Sequence, residues 1–169
     1  MHHEAFEAMK DFELNWVRTY FPESAEHTVL DVGSVDLGGG CHRDILKDYW
    51  DTGLDIAPGN NVDVVVENPY NWKEINHIEY DIIISGQCLE HVEYPWLTFQ
   101  EMNNVLTIGG ICCIAVPSRG PIHRYPVDCY RFLPDGMEAL GKYVGWEVVD
   151  SDLQEDTWGT LRTIYSKPG

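Results

Sequence analysis

Apolar positions along the chain repeat with two different periods. Over residues 3–20, Phe6, Met9, Leu14, Val17 and the following Phe21 recur at roughly helical spacing among Glu and Lys residues. This predicts an amphipathic helix that Pro22 closes. Short apolar, β-branched runs follow at residues 28–33, 53–56, 62–66, 80–85 and 111–116. Several are continuous rather than alternating, as in strands covered on both faces, which predicts a parallel sheet. Residues 38–50 read as a glycine-rich loop feeding a short helix. Residues 95–106 read as a helix with Pro95 in its first turn and Trp96, Phe99, Met102 and Leu106 on its buried side. Gly109 and Gly110 end that connection. A last helix is predicted over 133–144, and 146–149 with 160–166 as a closing strand pair. The expected fold is therefore α/β: a Rossmann-like, doubly wound, mostly parallel sheet with an antiparallel C-terminal strand. It is expected as a single compact domain over 1–169, with a helical segment 1–27 ahead of a core at 28–169.

Charge narrows the partners. The 169 residues carry 11 basic and 28 acidic side chains, a formal net charge of −17, which repels phosphate backbones and anionic lipid. Neither nucleic acid nor membrane is expected as a partner. No apolar run approaches the roughly 20 residues of a membrane span, and Glu4, Glu7 and Asp11 do not suit a signal peptide. The five cysteines, at 41, 88, 112, 113 and 129, include no CxxC spacing. Cys112 and Cys113 are neighbours in a predicted strand, so they face opposite ways and should not pair. Reduced, mostly buried thiols in a cytoplasmic protein are expected.

The first strand runs into Asp31-Val-Gly-Ser-Val-Asp-Leu-Gly38. A dinucleotide fingerprint needs a middle glycine for close approach to pyrophosphate. Val35 occupies that position, and Asp36 would set a carboxylate beside two phosphates, so NAD and FAD are disfavoured. S-adenosylmethionine has no phosphate and carries a sulfonium and an ammonium, which Asp31 and Asp36 tolerate or attract. Asp55, at the end of the second strand, can accept both ribose hydroxyls; alone, it would equally be a surface turn residue.

Five segments in order, Val29-Leu-Asp-Val-Gly-Ser34, Gly53-Leu-Asp-Ile-Ala57, Tyr80-Asp-Ile-Ile-Ile-Ser85, Leu89-Glu-His-Val92 and Leu106-Thr-Ile-Gly-Gly110, resemble the successive motifs of class I S-adenosylmethionine-dependent methyltransferases. Within that superfamily the chain is similar to the type-11 methyltransferase domain. Residues 117–137 resemble a bacterial subgroup of mostly unassigned substrate. The family loop has G-x-G where this chain has Gly33-Ser-Val35; the Gly38 to Gly40 triplet offers room for the methionine end. The resemblance implies that Gly33, Ser34 and Asp36 lie near the methionine part, with Asp31 on the same loop. It also implies that Asp55 binds ribose, Ile56 packs on adenine, Glu67 or Asn68 meets the adenine edge, and Ser85, Gly86 and Gln87 flank the sulfonium. The product would be S-adenosylhomocysteine.

Such transfer rests mainly on alignment, with a general base where an oxygen or nitrogen acceptor needs one. His123 and His91 are the candidate catalytic bases, with structural hydrogen bonding as the alternative for His91 and substrate or structural hydrogen bonding as the alternative for His123. Arg124, Tyr125, Tyr130 and Arg131 are candidate acceptor contacts, and Arg119, Arg124 and Arg131 could equally pair with nearby acids. Some quinone-pathway methyltransferases with a stretch like Glu90-His91 hold a divalent ion there, using another acid three residues earlier. Here that position is Gln87, a poor oxygen ligand, so no metal is expected. His2 and His3 are assigned nothing. The acceptor is expected to be a small metabolite or a glycan-like molecule. Without a large lid, the pocket is left open, completed by a partner subunit as in a homodimer, or shaped for part of a larger molecule. Two rival readings are a non-catalytic module that binds the cofactor and a nucleotide-dependent oxidoreductase.

Overall fold

The computed structural model describes residues 3–22, 27–38 and 41–169. Seven strands form one sheet in the order β3-β2-β1-β4-β5-β7-β6. In chain order they are β1 (Thr28–Val32), β2 (Trp50–Asp55), β3 (Val64–Val65), β4 (Tyr80–Gly86), β5 (Leu106–Pro117), β6 (Glu147–Leu153) and β7 (Thr160–Ser166). Strands β1 to β5 pair in parallel, and β7 runs antiparallel to both β5 and β6. The predicted sheet is thus present.

Continuous apolar strands can be buried on both faces only if both are covered, and they are. Helix α1 (His3–Phe12) lays Ala5, Met9 and Phe12 on one face, against Ile82, Ile84, Ile111, Cys113 and Ile164. The other face packs Leu30, Ile83, Cys112 and Tyr165 under α2 (Pro95–Val105), α3 (Pro134–Tyr143) and the irregular segment bearing Trp72 and Ile75. Cys112 and Cys113 fall in different layers, and all five cysteines are free thiols. Each fully buried Ile or Phe contributes about 2 kcal/mol through removed apolar surface.

Several local expectations change. Helix α1 continues through a π-helical turn, Glu13–Val17, into Arg18–Tyr20. The wider turn shifts the helical phase after Phe12, so Val17 is buried and Leu14 is exposed. Leu106 begins β5 rather than ending α2, and Trp96 on α2 is exposed. The short helix expected within 38–50 is a single 3₁₀ turn, His42–Asp44. The third strand shrinks to two residues at the sheet edge. Edge strand β6 is exposed along nearly its whole length. Buried Arg162 joins three elements by bonding Asp11 of α1 and, at 2.6 Å, Asp150 of β6. Among the described residues no helix is long and apolar enough to cross a membrane.

Candidate active site

Parallel strands deliver their following loops to one end of the sheet, where ligands bind in such folds. Here those loops enclose a cavity of about 660 Å³. The loop after β1 turns at Gly33, whose φ is 80° and where a Cβ would lie 2.6 Å from Cβ and Sγ of Cys88. Only glycine meets both demands. The backbone N–H groups of Gly33 and Ser34 donate to the Leu54 carbonyl at 2.9 and 3.1 Å, which ties this turn to β2. At the end of β2 the Asp55 carboxylate accepts the Val35 and Ala57 N–H groups, each at 3.1 Å. Each oxygen keeps a further lone pair for a ligand hydroxyl. Ile56, just outside, leaves 54% of its surface exposed on the cavity rim.

Three buried polar atoms lack a hydrogen-bond partner: Asp31 Oδ1, Ser34 Oγ, which lies close to Gly53 of β2, and His42 Nε2. All three residues line the cavity. The His42 ring lies over Gly86, where a Cβ would stand 2.0 Å from its Cε1, and its Nδ1 is 3.9 Å from Asp31 Oδ1. Buried polar atoms are almost always paired, so three orphans on residues that line one cavity point to a polar ligand.

Other residues expected at the cofactor stand elsewhere. The Ser85 hydroxyl donates to the Val32 carbonyl at 2.9 Å, bracing β1 against β4. The Asp36 carboxylate accepts the Gly38 N–H at 2.7 Å within its own turn. Glu67 is exposed and paired with Lys73 at 2.7 Å, and the Asn68 side chain accepts the Tyr70 N–H at 2.9 Å. From that stretch Pro69, Tyr70 and Trp72 line the cavity instead. Gln87 and Gly86 do line it, Gln87 with φ 53°. Gly38 lines it too, whereas Gly39, Gly40 and His2 lie outside the described residues.

The opposite end is aromatic. His91, His123, Tyr125 and Trp158 line it. The His91 ring sits 4.9 Å from His123 and 5.8 Å from Tyr125, and His123 sits 5.0 Å from Trp158. His91 Nδ1 donates to the Val127 carbonyl at 2.6 Å, leaving Nε2 as the basic nitrogen, and burial lowers its pKa below the ordinary 6.5. Glu90, next to it, is fully buried with neither carboxylate oxygen partnered, and burial pushes its pKa up to about 8.

The expected acceptor arginines brace the loop. Arg131 forks onto Asp128 at 2.6 and 2.9 Å and donates to the Pro121 and Tyr130 carbonyls, each at 2.7 Å. That guanidinium holds the Asp128 carboxyl well below the usual range. Arg124 is exposed away from the cavity, and the Tyr130 hydroxyl donates to the Glu93 carbonyl at 2.9 Å. Among the described residues, no Lys or Arg lines the cavity. Sequence reasoning missed His42, Cys88 and Trp158. His42 carried a faint signal as an imidazole beside the glycine-rich loop; Trp158 carried none, because a β6–β7 hairpin brings it in.

A family model described as a methyltransferase domain matches residues 30–114, just over half of the chain. The chain belongs to this methyltransferase-domain family. It is accordingly an S-adenosylmethionine-dependent methyltransferase. No curated protein matches its sequence. Among solved structures, an S-adenosylmethionine-dependent methyltransferase from Clostridium acetobutylicum superposes with a TM-score of 0.71 at 10% identity, covering 97% of this chain and 92% of that one. The Burkholderia thailandensis 1,6-didemethyltoxoflavin-N1-methyltransferase, solved with 1,6-didemethyltoxoflavin and S-adenosylhomocysteine, gives 0.69 at 16% identity, covering 98% and 79%. The [4+2]-cyclase SpnF gives 0.67 at 16% identity, covering 94% and 81%. At these identities the likeness is one of fold, and the cyclase is a reminder that fold alone does not fix the reaction.

Proposed function

We propose that this methyltransferase methylates a neutral or cationic small molecule or glycan-like acceptor, held between the cofactor and the aromatic end of the cavity. The observation that carries the cofactor placement is the trio of orphaned atoms on Asp31, Ser34 and His42. An amino-acid end satisfies all three: its ammonium donates to Asp31, and its carboxylate accepts from Ser34 and His42. Asp55, already oriented by two N–H groups, takes the ribose hydroxyls. Ile56 covers one adenine face, and Pro69 and Tyr70 replace Glu67 and Asn68 at its edge. The cofactor supplies the electrophilic methyl group on a cationic sulfur.

The protein's own part is alignment and exclusion of water. Val127 fixes the His91 tautomer, so that Nε2 can take a proton from an acceptor hydroxyl or amine; with its pKa below 6.5, His91 is mostly in that neutral form at pH 7. His123 stands beside it as the second candidate. The absence of Lys and Arg from the lining, in a chain of net charge −17, disfavours phosphorylated or carboxylated acceptors. Free thiols fit a reducing cytoplasm.

The test is calorimetric titration with S-adenosylmethionine and S-adenosylhomocysteine, with NADH as control, repeated on Asp55→Ala. Micromolar binding of both adenosyl ligands, weakened about tenfold by the substitution and absent for NADH, supports this reading. Preference for NADH would revive the oxidoreductase. Binding without transfer to any neutral or cationic acceptor in a screen would favour a non-catalytic module.

A further inference from the structure

We propose that Glu90, His91 and His123 form a site for one divalent transition-metal ion, zinc-like in preference, at the acceptor end of the cavity. One ligand atom from each of the three lies within 4.8 Å of the others. They meet because the 3₁₀ turn Leu89–His91 ends β4 while His123 lies in the loop after β5, and these strands are parallel neighbours. Glu90 is the independent sign of a missing partner. It is fully buried, and both of its oxygens lack a hydrogen bond. A buried carboxylate in that condition calls for a cation or a retained proton. The nearby Arg131 guanidinium gives its two Nη groups to Asp128, and its buried Nε, which has no partner, forms no hydrogen bond to Glu90.

The imidazoles are oriented as ligands are. His91 uses Nδ1 on the Val127 carbonyl, which leaves Nε2 at 3.8 Å from Glu90 Oε1. The backbone N–H of His123 donates to Asp128 Oδ2 at 2.7 Å, and its ring Nδ1 lies 3.3 Å from the Pro121 carbonyl, 3.4 Å from Arg131 Nη2 and 3.6 Å from Asp128 Oδ2, which turns Nε2 away from them. A carboxylate or carbonyl behind an imidazole is the usual outer support of a metal-bound histidine. Metal–ligand bonds of about 2.1 Å place ligand atoms within about 4.2 Å of one another, so the cluster must close by about 0.6 Å. His123, on a loop and partly exposed, is placed to supply that movement.

The donor set selects the ion. Two imidazoles with one carboxylate suit Zn²⁺, Fe²⁺ or Co²⁺, whereas Mg²⁺ and Ca²⁺ prefer oxygen ligands. Gln87 is therefore irrelevant to this site, because the third ligand comes from His123. His91 and His123 line the cavity, so the open coordination positions face it. An ion there would occupy His91 Nε2, so that nitrogen would no longer serve as a base; the ion would instead bind an acceptor oxygen and lower the pKa of an acceptor hydroxyl. That last role rests on the methyltransferase reading above; the site itself does not.

The experiment uses the full chain, treated with a chelator and titrated by calorimetry with Zn²⁺, Co²⁺ and Mg²⁺ separately. The expected result is one Zn²⁺ or Co²⁺ per chain, visible d–d absorption on Co²⁺ addition, and much weaker Mg²⁺ binding. Glu90→Gln, His91→Gln and His123→Gln should each weaken Zn²⁺ by about 100-fold or more. The melting curve of each metal-free variant checks that it is folded. Absent saturable Zn²⁺ binding, binding that none of the three substitutions weakens, or preference for Mg²⁺ overturns the proposal; in the first case Glu90 is a retained neutral acid. S-adenosylhomocysteine is titrated into the same preparations. Zinc without S-adenosylhomocysteine binding supports the metal site and counts against the cofactor placement, and the converse overturns the metal site alone.

Discussion

The two ends of the cavity are built differently. The end proposed for the cofactor rests on strand termini: Asp31, Gly33, Asp55 and Gly86 each sit at or within two residues of the end of β1, β2 or β4, where the ladder fixes the backbone. The end proposed for the acceptor is made of loops. His91, His123, Tyr125 and Trp158 come from three segments joined by the Arg131–Asp128 fork, the His91–Val127 bond and the Asp156 turn. A rigid half thus suits a fixed ligand, and an assembled half can be shaped for a particular acceptor without disturbing the first.

That division predicts separable effects. The largest is expected for Asp31→Asn, which removes the buried charge opposite the ligand ammonium; S-adenosylhomocysteine should bind about 100-fold more weakly in calorimetry. Unchanged affinity would put the methionine end elsewhere. Gly86→Ala should follow, because its Cβ would displace the His42 ring from 2.0 Å; about tenfold weaker binding is expected, with normal folding by circular dichroism.

A smaller effect concerns the loop half alone. Burial would raise the Asp156 carboxyl, but the N–H groups of Trp158 and Thr160 hold it below its ordinary pKa. A depressed carboxyl contributes stability that is full above about pH 4 and is lost as pH falls. Asp156→Ala should therefore cost about 1 kcal/mol at pH 7, a fall of about 3 °C in melting temperature. The difference from the parent should shrink when melting is repeated at acidic pH. The smallest effect is expected for Tyr125→Ala. S-adenosylhomocysteine affinity should change less than about twofold, since its ring stacks at the acceptor end. A large change in cofactor affinity there would break the division between the two halves.

The sequence by itself determined the sheet and the strand-end part of the cavity lining. Continuous apolar runs such as 80–85 bury on both faces whatever surrounds them, and a glycine–acid turn after β1 acts within a few residues of itself. Asp31, Gly33, Ser34, Asp55, Ile56, Gly86 and Gln87 were therefore legible and do line the cavity. Where side chains choose between near-equal partners, the sequence was silent. Ser85 turned to the Val32 carbonyl, Arg131 to Asp128, and Glu67 to Lys73, each an electrostatic or hydrogen-bond choice set by neighbours far along the chain or by loop shape. Only the tertiary structure decided that His42 crosses Gly86, that Trp158 reaches His123, and that Glu90 loses all its water beside two imidazoles. Those contacts join residues up to 44 positions apart along the chain, and no local pattern encodes a distance that the packing of loops creates.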